Sequence, residues 1–138
     1  MSEREILFRG KRADNGEWIE GYFLPGNERQ SLRPCIFVYH PETQNFECFD
    51  IDIDTLGEYT GLTDKNGTRI FEGDIVRYEN YEPFYDRSYL TKDKVVFADG
   101  EFTPIPKQYN CEDDYYSYEF RNFEVIGNIY DNPELLKN

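Results

Sequence analysis

A mostly β fold is predicted by three observations. Short apolar runs alternate with period two, turn signals rich in Gly, Asn, Asp and Pro recur between them, and no amphipathic helix of useful length intervenes. The expected architecture is a small SH3-like barrel, or a sandwich of short antiparallel strands, with an N-terminal β-hairpin region and little helix. The chain has 138 residues. It reads as an N-terminal β region, 1–54, and a C-terminal SH3-like barrel region, 55–138, which can form one compact unit.

The elements follow in order. Ile6 to Phe8 reads as a first strand, and Asp14-Asn15-Gly16 turns the chain into a returning strand from Glu17 to Leu24. Cys35 to Tyr39 is an apolar β run bounded by Pro34 and Pro41. Phe46 opens the next strand. From Phe49 to Asp54 the alternation is strict: Phe49, Ile51 and Ile53 share one face, and Asp50, Asp52 and Asp54 the wet one.

The stretch from Gly57 to Val76 carries two reversals. Asp64-Lys65-Asn66-Gly67 is a tight hairpin signal, because Asn and Gly tolerate positive φ at low cost. Leu62 and Ile70 then lie on the flanking strands and point into the core. Phe71 to Asp74 bends the chain again into Ile75-Val76. Residues 79–93 read as a long loop. Lys94 to Ala98 is a strand, Asp99-Gly100 a hairpin turn, and residues 101–106 a ragged partner confined to an edge by Pro104 and Pro106. Phe123 to Tyr130 is a last strand, and Glu134 to Leu136 adds one helical turn.

Composition narrows the function classes. The formal net charge is −13, with 28 acidic and 15 basic residues. That balance opposes direct contact with nucleic acid or an anionic membrane surface. Aromatic residues make up 17% of the chain, too many for an acidic disordered segment. Cys35, Cys48 and Cys111 are widely spaced and include no C-x-x-C pair, which points to free thiols in a reducing cytosol. No signal-peptide core or apolar membrane span is expected.

Chemistry-bearing patterns are few. A calcium loop starting at Asp50 would need Gly at its sixth position and Glu at its twelfth, and finds Thr55 and Gly61. His40 stands before Pro41 with no nucleophile motif directed at it. Gly57, Gly61 and Gly67 are not followed by a Lys-Ser/Thr pair or a helix, so a phosphate loop is not expected. No catalytic, cofactor or metal residue is assigned. The segment with partner-binding character is acidic and Tyr-rich: Tyr109, Glu112, Asp113, Asp114, Tyr115, Tyr116 and Tyr118.

Five blocks carry a family resemblance. They are Phe8 to Arg12, Gly16 to Tyr22, Gly57 to Gly67, Phe71 to Val76 and Val125 to Leu136. In this order they resemble the YopX family of phage and prophage proteins. The resemblance implies a bacteriophage or prophage source, a bacterial host cytoplasm and a mostly β, self-associating fold. It implies no activity and supplies no catalytic residues. Residues 79–93 and 107–119 lie outside the matching blocks.

The expectation is a non-enzymatic phage accessory protein, a self-associating β scaffold that binds a host or phage protein without a cofactor. The alternative is an acidic DNA mimic that inhibits a host nucleic-acid-binding protein, and an unrecognised hydrolase is a third class. The turn signal at Asp64 to Gly67 yields a direct test. Gly67→Val costs about 1–2 kcal/mol from the left-handed backbone alone, whereas Lys65→Ala costs little. Thermal melts of the two variants check this.

Overall fold

The computed structural model describes residues 5–104 and 123–137. They divide into two compact units, the first ending at Gly61 and the second beginning at Leu62. Every regular element of more than four described residues is a strand.

In the first unit, β1 (Phe8–Arg12) and β2 (Trp18–Leu24) form the expected hairpin across Asp14-Asn15-Gly16. Asn15 accepts from the Glu17 amide at 2.9 Å, and Gly16 sits at φ +74°. β3 (Cys35–His40) pairs antiparallel with β2, and β4 (Asn45–Thr63) with β3. β4 also pairs with β1, so the pairings run in a circuit and the sheet is partly closed.

One strand serves two neighbours because it is 19 residues long. Residues 45–50 of β4 lie on β3, and residues 51–58 on β1. Gly21 lets β2 approach β3 closely, since a Cβ there would stand 2.1 Å from the Phe37 carbonyl oxygen. Ile36 is fully buried, with Ile51 beside it in the core.

The alternation expected through Ile53 fails. The register of β4 on β1 slips, so that residues 53–56 stand opposite Gly10 alone. Thr55 holds the bulge: its Oγ1 accepts from the Lys11 amide at 2.9 Å and donates to the Asp52 carbonyl at 2.6 Å. The extra residues break the period, as bulges do, and turn Ile53 out to solvent. Asp50, Asp52 and Asp54 are exposed.

The second unit opens with the predicted turn. Gly67 has φ +81°, its amide donates to the Asp64 carbonyl at 3.0 Å, and β5 (Arg69–Phe71) returns along the end of β4. Ile70 is fully buried and Leu62 packs against the same core. The Asp64 side chain does more than cap the turn. Oδ1 accepts from the Asn66 and Thr68 amides at 2.9 Å each. Oδ2 accepts from the Val125 amide, 61 residues away, at 2.9 Å.

The bend at 71–74 leads into β6 (Asp74–Glu82). Asp74 is buried and accepts from the Phe71 amide at 2.7 Å. β6 is the middle of a three-stranded sheet, between β10 (Glu124–Asn128) and β7 (Arg87–Lys94). β8 (Val96–Ala98) and β9 (Glu101–Thr103) form a separate hairpin across Asp99-Gly100. The core comprises Ile70, Val76, Val95 and Phe123, with Tyr78, Phe102 and Val125 packed against it. A 3₁₀ turn, Pro133–Leu136, ends the described chain.

Two sequence expectations change here. The loop expected at 79–93 is a hairpin, with β6 and β7 in register from Ile75↔Lys94 to Glu82↔Arg87. Its distal part carries polar cross-strand pairs in place of apolar alternation: Asn80 bonds Thr91, and Glu82 pairs with Arg87 at 2.9 Å. The single strand expected from Lys94 to Ala98 breaks at Val95. That residue is fully buried and bonds the bend instead, donating to the Asp74 carbonyl and accepting from the Gly73 amide at 2.8 Å each.

Asp64→Ala strands three amide donors and costs about 2–4 kcal/mol. Asp64→Asn restores only part of this. Its oxygen can serve the two turn amides, but its NH₂ then meets the Val125 N–H donor to donor. Urea unfolding of the three proteins checks the order wild type, Asn, Ala.

Candidate interaction surfaces

One surface follows from the register of β2, β3 and β4. Tyr22 stands opposite Phe37, Phe37 opposite Cys48, and Tyr39 opposite Phe46. Opposed residues of an antiparallel pair share a face, as do alternate residues along a strand. Tyr22, Leu24, Phe37, Tyr39, Phe46 and Cys48 therefore project from one face. The other face carries Phe23 and Ile36, with Phe8 and Phe23 rings 5.5 Å apart. Both faces of this sheet are apolar, and the Ile36 face lines the core.

The first face is largely bare. Tyr22 is 59% exposed and Phe46 61%, and Leu24 and Tyr39 are exposed beside them. The Tyr39 and Phe46 rings lie 5.0 Å apart. At the rim, Arg33 approaches Asp50 at 3.7 Å. An ion pair this open to solvent adds little.

A second surface is the distal part of the β6–β7 hairpin. β10 pairs with β6 only from Asp74 to Arg77, while β7 follows β6 out to Glu82. Beyond Tyr78, whose ring stacks on Phe123 at 4.7 Å, the two strands form a ribbon arm among the described residues. Its turn presents Phe84, 97% exposed, and Tyr85, 70% exposed. Leu90 is 67% exposed, with Tyr89 on the opposite face of the ribbon. Arg87 lies over the Tyr85 ring at 5.2 Å.

Two thiols also lie on the first face, Cys48 opposite Phe37 and Cys35 opposite Leu24. Burial pushes the Cys35 thiol up to about 11, with Cys48 and Asp50 adding to the effect. Cys48 is exposed. His40 Nε2 lies 3.3 Å from Glu47 Oε1, a pair near the strand ends. Glu124 accepts from Arg77 at 2.6 Å, which holds its carboxyl below the usual range, and Lys65 stands 3.5 Å away. Among the described residues no three His, Cys, Asp or Glu side chains gather as a metal set. Among them, too, no helix is long and apolar enough to cross a membrane.

The acidic, Tyr-rich residues from Tyr109 to Tyr118 lie outside the described residues. Phe84, Tyr85 and Leu90 were hidden by the loop expectation. A usable signal existed: Pro83 and Asp86 are turn formers, and Glu82 and Arg87 flank them as a complementary pair.

These features define a small antiparallel β protein of two units with exposed aromatic surfaces. The chain belongs to the YopX protein family, whose model matches residues 7–137. It is similar to the crystal structure of protein EF1440 from Enterococcus faecalis, at 26% identity and a TM-score of 0.55, over 98% of this chain and 100% of that one. No curated protein matches it. Neither the family's description nor the name of the solved protein carries an activity.

The thiol environments predict selective labelling. At pH 7.5 iodoacetamide alkylates Cys48 in the folded protein, while Cys35 reacts only after unfolding. Peptide-resolved mass spectrometry checks this, and equal labelling of both in the native state contradicts it.

Proposed function

We propose that this protein is a non-enzymatic β scaffold that works by binding protein, including further copies of itself. The observation that carries this is the bare aromatic face of β2, β3 and β4. Tyr22, Leu24, Tyr39 and Phe46 are exposed together on a sheet whose opposite face is packed. Contiguous apolar patches of this kind mark interaction sites, and Tyr and Phe are enriched where protein surfaces meet.

Three further elements belong to the same reading. An SH3-like arrangement of the C-terminal region rests on the spacing of its strands, while a phage or prophage source and a bacterial host cytoplasm as the place of action rest on the family resemblance. The net charge of −13 favours a protein partner over nucleic acid.

The test is the mass in solution, followed by light scattering across a concentration series. The reading expects at least twice 16.5 kDa at tens of micromolar protein, rising with concentration. A strict monomer at high micromolar, with no protein retained from host extracts, contradicts it.

A further inference from the structure

Two separate aromatic surfaces are exposed on this chain, one on each unit: Tyr22, Leu24, Tyr39 and Phe46 on the first, and Phe84, Tyr85, Tyr89 and Leu90 on the second. We propose that the β6–β7 arm of one copy docks on the β2–β3–β4 face of a second copy. This rests on the self-association in the reading above and assigns its contact.

Area supports a second copy as the occupant. A fully exposed aromatic side chain offers about 150–250 Å². Scaled by their exposures, Phe84 and Tyr85 supply about 300 Å² on the arm, and Tyr22, Tyr39 and Phe46 supply about 300 Å² on the face. Leu90 and Leu24 extend the two patches. With the surrounding polar rim, one arm-to-face contact reaches the roughly 1,000 Å² at which specific interfaces begin.

The alternatives between copies satisfy less. Face against face leaves every arm bare, and arm against arm leaves every face bare. A single heterologous contact covers both surfaces on each protomer where it closes into a ring or a reciprocal pair, and leaves only the end surfaces bare where it propagates as an open filament. Strand addition along β7 is opposed by Lys92 and Lys94, both exposed, because lysines on an edge strand discourage pairing. A charge of −13 per copy opposes any association, so added salt strengthens this one.

The test uses two variants of the full chain. The arm variant carries Phe84→Ser and Leu90→Ser, and the face variant Tyr22→Ser and Phe46→Ser. All four side chains are exposed, and circular dichroism melts matching wild type establish that each variant folds. If a pair fails that check, Tyr85→Ser or Tyr39→Ser replaces it. Wild type is expected at twice 16.5 kDa or more by light scattering, and each variant alone at 16.5 kDa.

An equimolar mixture of the two variants is expected to form a one-to-one complex, because the intact arm of one meets the intact face of the other. An assembled wild type with either variant equally assembled overturns the docking contact and leaves self-association standing. Monomeric variants that stay monomeric when mixed at several hundred micromolar also overturn it. A monomeric wild type removes both the contact and the self-association on which it rests.

Discussion

The second unit depends on the carboxylate of Asp64. Its two oxygens hold three amides, two inside the hairpin turn and one on β10. The side chain is buried, so each of these bonds replaces a bond to water, and losing one leaves a polar group stranded. The adjacent Lys65 amide donates to the Phe123 carbonyl at 3.0 Å. Together these bonds fix the start of β10 beside the turn and bring Phe123 into the core with Ile70, Val76 and Val95. With β10 on one side of β6, β7 takes the other. The length by which β6 and β7 outrun β10 is the arm.

The first unit rests on a different constraint, the length of β4. A strand of ordinary length pairs with one neighbour on each side along its whole extent. β4 instead gives its first part to β3 and its second to β1, and the bulge held by Thr55 lies within the second part. The Ile36 face of the partly closed sheet lines the core, and Gly10 brings β1 against it: a Cβ there would stand 3.4 Å from Ile36 Cδ1. The aromatic face on the other side follows from strands that are apolar at consecutive positions, as Ile36-Phe37-Val38-Tyr39 is.

What the sequence made legible was local. The turn at Asp64 to Gly67 and the burial of Ile70 were readable because Asn-Gly chemistry and period two act within a few residues. The hairpin across Asp14-Asn15-Gly16 and the bend at 71–74 were readable for the same reason. Three features were not. The outward turn of Ile53 depends on a register slip against β1, more than 40 residues earlier. The distal part of the β6–β7 hairpin lacks a Gly turn and apolar alternation, and carries the polar pairs Asn80 with Thr91 and Glu82 with Arg87. The bond from Val125 to Asp64 leaves no trace in either local sequence. The site residues expected from composition, Tyr109 to Tyr118, lie outside the described residues, while the exposed aromatics that carry the proposal sat in strands and in a supposed loop.

Native-state amide hydrogen exchange at Val125 and Thr68 tests the central role of Asp64 most directly. If its carboxylate joins turn and strand into one cooperative unit, both amides open only with the core, and exchange as slowly as those of Ile70 and Val76. Exchange at Val125 or Thr68 that is orders of magnitude faster than at Ile70, with the core amides still protected, would show that the bond is incidental and contradict this account.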